Sequence, residues 1–146
     1  MPNPSEQYDL SEDVSRIDFE VVTSWLAGSY WSPGVAVETV RRAAANSSLV
    51  IGVFERGSGE QVAYARVVSD TTTFAWICDV IVDEAHRGRG IGRWMLRHIL
   101  AHPAHQPMRR WLLGTADAHG VYAECGFKPH PHPERLMAYY PPKDGT

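Results

Sequence analysis

Apolar residues recur in the first third of the chain at the three- and four-residue spacing of amphipathic helices. In SRIDFEVVTSWL this spacing puts Phe19, Val22, Trp25 and Leu26 on one face, which predicts a first helix. VAVETVRRAAAN has the composition of a second helix that ends near Asn46. The glycines and the proline of GSYWSPG interrupt the helical pattern between the two segments. The sequence therefore predicts two helices joined by a loop.

The middle of the chain changes to the short apolar runs that are typical of β-strands. SLVIGVFE and QVAYARVVS flank the turn RGSGE and predict a hairpin, and FAWICDVIV follows as the next strand. Helical spacing returns in IGRWMLRHILAH, which ends before Pro103. RRWLLGT is typical of a strand, DAHGVYAEC of a short helix ended by Gly126, and RLMAYY of a last strand. The order of elements predicts one mixed α/β (α+β) domain over residues 1–146.

Composition and charge narrow the range of partners. The chain carries 14 Lys and Arg against 17 Asp and Glu, so it has no broad basic field for nucleic acid or for an anionic membrane surface. No apolar segment reaches the roughly 18–20 residues of a membrane span, and the first residues lack the pattern of a secretory signal. We expect a cytoplasmic protein without nucleic-acid or membrane partners, in which Cys78 and Cys125 are reduced.

A glycine-rich segment, HRGRGIG, separates the third predicted strand from the third predicted helix. Glycine removes the Cβ that would keep a ligand away from the backbone, and a helix start leaves N–H groups without acceptors. This junction therefore suits an anion. It lacks the GxxxxGK[ST] pattern of a P-loop, and Arg93 stands where a dinucleotide fingerprint has its third glycine. A glycine-rich turn with solvated arginines is the alternative.

Two motifs together carry a family resemblance. VIVDEAHRGRGIGRWML resembles the acetyl-CoA signature of the GNAT superfamily of N-acetyltransferases, an apolar strand followed by Arg or Gln, x, x, Gly, x, Gly or Ala. Arg87, Gly90 and Gly92 occupy these positions. Further along, GVYAECGF resembles the superfamily's element of Tyr, three residues and Gly-Phe, through Tyr122 and Gly126. The order of elements matches as well, so the resemblance covers nearly the whole chain.

The resemblance implies a fold and a donor. The fold is the GNAT fold, a central mixed, mostly antiparallel sheet of six to seven strands flanked by about four helices. The donor is acetyl-CoA, with its pyrophosphate on the N–H groups at the start of the third helix. Arg87 is expected to position the chain, and Arg89 and Arg93 to bind phosphates. The implied cofactor-binding residues are Val80, Ile81, Val82, Arg87, Gly88, Arg89, Gly90, Ile91, Gly92, Arg93 and Thr115.

Two residues are candidates for catalysis. Tyr122 resembles the family's general acid, which protonates the departing thiolate; the alternative is that its ring only packs beside Phe127. Asp79 is an ionisable side chain inside an apolar strand, where desolvation would raise its pKa towards that of a general base. The alternative for Asp79 is a structural hydrogen bond to a loop or to an arginine. The family's more usual base position lies three residues earlier, and Trp76 occupies it.

The segment before Tyr122 also departs from the family pattern. Many members have an Asn seven residues before the tyrosine to hold the pantetheine, and Thr115 stands there instead. Asp117 is expected to cap the short helix, with His119 exposed. A polar relay through Asp117, His119 and Tyr122 is the alternative.

The acceptor site is the least defined part of the sequence. In this family the loop between the first two helices overhangs the acceptor, and Tyr30 and Trp31 would form an aromatic wall over an amine. The alternative is that both rings close the core beneath the loop. We expect a small-molecule or peptide amine as partner, and the resemblance allows a homodimer. No metal is expected, because His98 and His102 lie one helical turn apart without a carboxylate or cysteine at ligand spacing.

Two function classes follow from these residues. The first is an acetyl-CoA-dependent N-acetyltransferase that acts on a primary amine, with Tyr122 as general acid. The second is a non-catalytic acyl-CoA-binding or sensor protein on the same fold. Tyr122 favours the enzyme, whereas Trp76 and Thr115 leave room for the second class.

Overall fold

A computed structural model describes residues 3–143, so both ends of the predicted 1–146 domain lie outside the described residues. One sheet runs through the centre, with its strands in the order β1-β2-β3-β4-β5. The strands are β1 Tyr8–Ser11, β2 Leu49–Glu55, β3 Gln61–Ser69, β4 Ala75–Val82 and β5 Trp111–Leu112. The first four strands are antiparallel and β5 is parallel to β4. The sheet is mixed and mostly antiparallel, as predicted.

Among the described residues, four α-helices flank the sheet, as the resemblance implied. They are α1 Phe19–Ala27, α2 Val37–Ala45, α3 Ile91–Ala101 and α4 His119–Glu124. Asp18 caps α1, because its carboxylate accepts a hydrogen bond from the Val21 N–H at 3.1 Å. None of the helices in residues 3–143 is long and apolar enough to cross a membrane.

Alternation along the strands divides the interior into two cores. Ile51 and Val53 of β2 face α3, where they pack with Met95 and Ile99. On the opposite face, Val50 and Phe54 of β2 pack with α1 and α2; the buried residues of those helices include Val22, Leu26, Val40 and Ala44. Of the predicted face of α1, Phe19, Val22 and Leu26 are buried and Trp25 is partly buried against the same core, which confirms the periodicity.

The prediction of six to seven strands was wrong, because the sheet has five strands in residues 3–143. RLMAYY does not form a strand: a short 3-10 helix covers Pro133–Arg135, and the residues after it are exposed. RRWLLGT contributes only the two residues of β5, and the sequence analysis missed β1. Apolar and aromatic composition gives a segment the propensity for a strand, but a strand also needs a hydrogen-bonded neighbour.

Glu12 joins the segment after β1 to the end of α3. Its two carboxylate oxygens accept hydrogen bonds from Nε2 of His98 and from Nε2 of His102, each at 2.8 Å. No carboxylate stands at ligand spacing from these histidines in the sequence, but the fold brings Glu12 to them from 86 and 90 residues away. His102 Nδ1 accepts from the Ala104 N–H at 3.1 Å, so the ring's proton lies on Nε2, where a metal ion would have to displace it. The trio has the geometry of a hydrogen-bonded clamp.

Candidate active site

The two strands β4 and β5 separate after their second residue pair. β5 pairs with β4 only at Ala75 and Trp76, and from Ile77 to Val82 that edge of β4 has no neighbouring strand in residues 3–143. The opening is a cleft of about 760 Å³, bounded by β4, by the loop between α1 and α2 and by the segment that leads into α4. Its volume is within the range of small-molecule and cofactor sites.

A β-bulge at Asp79 bends β4 where the cleft opens. Asp79 has a φ of +54°, and the register shift leaves Asp79 and Val80 together opposite Ala65. The extra residue changes which side chains face α3: Ile77 does so before the bulge, and Val80 and Val82 do so after it. The bulge therefore turns the polar side chain of Asp79 out of the apolar strand and into the cleft.

Asp79 has two partners in the cleft. Its Oδ2 accepts from Arg66 Nε at 2.7 Å, and its Oδ1 accepts from Trp31 Nε1 at 3.0 Å. The side chains of Arg66 and Asp79 are 18 % and 12 % exposed, so water screens the pair only weakly. Burial opposes the charge of Arg66, but the hydrogen bond and the charge of Asp79 more than offset this and raise the pKa of Arg66. These partners are a loop residue and an arginine, as expected if Asp79 makes structural hydrogen bonds. Its role as a general base stays a prediction.

Tyr30 and Trp31 form an exposed wall on one side of the cleft. They are 54 % and 42 % exposed, so the alternative that they close the core is wrong. Their rings meet edge to face at 5.1 Å. The Tyr30 hydroxyl accepts from the Ala116 N–H at 2.7 Å, while Trp31 donates to Asp79. The loop is therefore attached to both opposing walls of the cleft.

Tyr122 lies on α4 and lines the cleft. It is half-buried, and its ring packs edge-on against Phe127 with the centroids 6.0 Å apart. Burial raises the pKa of Tyr122, and the nearby Tyr30 and Asp117 raise it further. The phenol is therefore protonated at neutral pH, the form that can donate a hydrogen bond.

Thr115, and not Asp117, holds the start of α4. The Thr115 hydroxyl accepts from the N–H of Ala118, the residue just before α4, at 3.0 Å, and no side chain caps the helix itself. The expectation that Asp117 caps this helix was wrong. Within residues 3–143 the Asp117 carboxylate accepts no hydrogen bond, and it lines the cleft. His119 does not line the cleft, so the structure does not form the relay through Asp117, His119 and Tyr122.

The loop before α3 presents a row of free backbone donors. Gly88 and Gly90 have φ values of +77° and +81°, which glycine adopts without strain. The N–H groups of residues 88–93 have no acceptor among residues 3–143, since the first hydrogen bond of α3 runs from the Trp94 N–H to the Gly90 carbonyl. Successive free N–H groups at a helix N-terminus form an anion-binding concavity.

The three arginines of this segment have different partners. Arg87 Nε donates to the Val82 carbonyl at 3.0 Å, which ties the loop back to β4. Arg89 Nη1 donates to the Tyr8 hydroxyl at 2.9 Å, and Arg89 forms no ion pair with a carboxylate of residues 3–143. Arg93 forms an ion pair with Glu124, which joins α3 to the helix that carries Tyr122.

The fold brings most of the predicted site residues to one cleft. Those that line it are Tyr30, Trp31, Asp79, Val80, Ile81, Val82, Arg87, Thr115 and Tyr122. The others form the loop and first helical turn that follow Arg87, namely Gly88, Arg89, Gly90, Ile91, Gly92 and Arg93. Sequence reasoning missed Arg66, although a lone charged residue inside the apolar run QVAYARVVS was a signal for it.

Comparison with known proteins places this architecture in a family. The model of the acetyltransferase (GNAT) family matches residues 12–127. The crystal structure of a GNAT-family protein from Xanthomonas campestris pv. campestris is 40 % identical, with a TM-score of 0.86, over 96 % of this chain and 94 % of that one.

Two plant enzymes are also similar. Glucosamine 6-phosphate N-acetyltransferase 1 of Oryza sativa subsp. japonica is 30 % identical over 119 residues, which are 81 % of this chain and 64 % of the rice protein. Glucosamine-6-phosphate N-acetyltransferase from Arabidopsis thaliana is 16 % identical and shares the fold, with a TM-score of 0.66 over 91 % of this chain and 97 % of that one. The family model spans most of the chain, and the structure has the sheet that opens between β4 and β5 and the free N–H groups before α3. The chain therefore belongs to the GNAT family of acetyltransferases.

Proposed function

We propose that this protein transfers an acetyl group from acetyl-CoA to a primary amine of a small molecule or a peptide. One observation carries the proposal: a single cleft contains the unpaired edge of β4 and the side chain of Tyr122. Arg87 also lines this cleft, and the residues that follow it in the chain have the free N–H groups before α3. An anion site, an extended slot and a proton donor in this order suit a long phosphorylated thioester. Bound acetyl-CoA supplies the activated acetyl group.

The loop before α3 and the free edge of β4 bind different parts of the donor. The N–H groups of residues 88–93 bind the pyrophosphate, and Arg89 adds a positive charge beside them. Arg87 keeps the loop against β4 through the Val82 carbonyl. The free edge of Val80, Ile81 and Val82 offers backbone groups to the pantetheine arm in the manner of an added strand.

Tyr122 and the aromatic wall act at the reacting end. Tyr122 donates its phenolic proton to the sulfur as negative charge develops there, and its raised pKa keeps that proton available. Tyr30 and Trp31 are aromatic side chains that attract an ammonium group through cation–π interaction. Asp117 adds a carboxylate to the same cleft, which further favours a cationic acceptor.

Asp79 has two proposed roles, and its ion pair favours the structural one. As a base it would take a proton from the acceptor ammonium. However, both carboxylate oxygens already accept hydrogen bonds from the protein, one from Arg66 Nε at 2.7 Å and one from Trp31 Nε1 at 3.0 Å. As a positioning residue it holds Trp31 in the wall and keeps Arg66 neutralised.

The anion site can be tested by a pair of glycine variants. Gly90→Val adds a side chain at the free N–H groups, and its φ of +81° also strains the backbone. Gly59→Val carries the same kind of strain at a φ of +74° in open space, and Gly59 lies in the β2–β3 turn. We expect acetyl-CoA to raise the melting temperature of wild type and Gly59→Val, and to leave that of Gly90→Val unchanged. An equal rise in both variants would remove the phosphate site from this loop.

Turnover is tested by release of the CoA thiol from acetyl-CoA across a panel of primary amines. At least one amine should release thiol faster than water does, and the acetylated amine should appear in equal amount. The second candidate, an acyl-CoA-binding sensor, is favoured by Trp76, which occupies the usual base position of the family and is 38 % exposed. Tight binding of acetyl-CoA without release by any amine would select the sensor.

A further inference from the structure

Tyr8 is a buried residue of β1 whose hydroxyl reaches the loop before α3. Its side chain packs in the core on the α3 face of the sheet and is 1 % exposed. The hydroxyl oxygen lies 2.7 Å from His86 Nδ1 and 2.9 Å from Arg89 Nη1. One buried side chain therefore contacts both ends of the segment from His86 to Arg89.

The donors and acceptors around the Tyr8 hydroxyl allow one arrangement of protons. A guanidinium can only donate, so Arg89 gives a hydrogen bond to the hydroxyl oxygen and accepts none from it. The single proton of Tyr8 then goes to His86 Nδ1, since a buried hydroxyl that donates to nothing loses a hydrogen bond that water would otherwise make. The rings of Tyr8 and His86 meet edge to face at 5.6 Å, which also limits their movement. The hydroxyl therefore has a fixed direction, with its oxygen turned to Arg89.

Arg89 is an exposed side chain between two glycines, and its only hydrogen bond to residues 3–143 is the one to Tyr8. Gly88 and Gly90 hold the chain in the left-handed region and offer no side chain against which Arg89 could pack. A long flexible side chain loses rotamer freedom when a ligand orders it, and this loss weakens binding. Because the hydrogen bond to Tyr8 already restrains the guanidinium, less freedom is left for a ligand to remove.

The contact with Tyr8 also leaves the charge of Arg89 available to a ligand. The nearby Arg93 forms its ion pair with the Glu124 carboxylate, whereas the partner of Arg89 is a neutral hydroxyl. That hydroxyl occupies one of the five N–H donors of the guanidinium. The positive charge and the remaining donors lie in the same loop as the free N–H groups of residues 88–93, so both can bind one anion.

We propose that Tyr8 is a positioning residue for donor binding, whose hydroxyl holds the Arg89 guanidinium in place for the phosphates of acetyl-CoA. The inference rests on the proposed function, because it takes acetyl-CoA as the donor. It extends the donor site to β1, a strand that the sequence analysis missed. Tyr8 does not line the cleft, so it acts through Arg89 and not on the reacting end.

The affinity for acetyl-CoA is the first test, measured by titration calorimetry at a temperature where each protein is folded. Tyr8→Phe removes the hydroxyl and keeps the buried ring, and the dissociation constant should rise by about 3- to 10-fold, because binding must then order a free Arg89 side chain. The control is Tyr64→Phe, which also removes a hydroxyl from a fully buried ring. The Tyr64 hydroxyl has no hydrogen-bond partner among residues 3–143, and Tyr64 does not line the cleft. The control should bind acetyl-CoA as the wild type does.

Removal of Arg89 shows whether Tyr8 acts through it. Arg89→Ala should raise the dissociation constant at least as much as Tyr8→Phe does, and Tyr8→Phe should have no further effect in the Arg89→Ala background. An effect of Tyr8→Phe as large without Arg89 as with it would overturn the inference, since Tyr8 would then act on the fold of the loop. Wild-type affinity in Tyr8→Phe or in Arg89→Ala would also overturn it, while the proposed donor would stand. A wild-type protein that does not bind acetyl-CoA would overturn the proposed donor and this inference together.

Discussion

Replacement of Tyr122 by Phe should lower kcat by about 10²-fold or more while the affinity for acetyl-CoA changes little. The phenol lines the cleft and its pKa is raised by burial, so at neutral pH it is a donor and not an anion. Phe keeps the edge-on packing against Phe127, and the melting temperature should therefore stay close to that of the wild type. Only the proton that goes to the departing sulfur is lost.

A change of the leaving group separates this role from simple packing. With a thioester whose thiol is markedly more acidic, protonation matters less, and the deficit of Tyr122→Phe should shrink. The measurement is kcat for wild type and variant with both thioesters, together with the dissociation constant of acetyl-CoA. Equal kcat values with acetyl-CoA, or a reduction of kcat that is the same for both leaving groups, would mean that Tyr122 only packs.

Local patterns in the sequence were sufficient for most of the fold. The face of α1 and the hairpin of β2 and β3 follow from periods of 3.6 and 2 residues, which depend on neighbours in the chain. RLMAYY shows the limit of this reasoning. Its composition predicts a strand, but strand formation also depends on a partner edge, and no pattern within the segment reveals whether the fold places such an edge beside it.

The site also contains residues that local motifs predict and residues that depend on long-range contacts. The loop of Gly88 and Gly90 and the position of Tyr122 were predictable because each belongs to a short motif beside its own helix. The pairing of Asp79 with Arg66 depends on the register between β3 and β4 and on a β-bulge that no sequence pattern predicts. The contact between Glu12 and His102 depends on the fold placing the residue after β1 beside the residue that follows α3.

The Asp79 carboxylate should prove to be a positioning group, and its replacement should act mainly on stability. Asp79→Asn removes the charge that compensates Arg66, and the two side chains are only 12 % and 18 % exposed. Breaking a buried ion pair on one side leaves an unpaired charge, and we expect the free energy of unfolding to fall by about 3 kcal/mol. Arg66→Gln should cost a similar amount, because it leaves the carboxylate unpaired instead.

The double variant Asp79→Asn/Arg66→Gln distinguishes the two roles of Asp79. It has no charge left to compensate, so it should regain part of the stability that each single variant loses. For a positioning residue, kcat/KM per folded molecule should recover together with stability, because the side-chain amide introduced in place of the carboxylate can still accept from Trp31. For a general base, both variants that lack the carboxylate should remain about 10²-fold or more below the wild type, however stable they are. Urea unfolding and kcat/KM measured on the four proteins of this cycle give both quantities, and persistent loss of activity in the stabilised double variant would return Asp79 to the role of base.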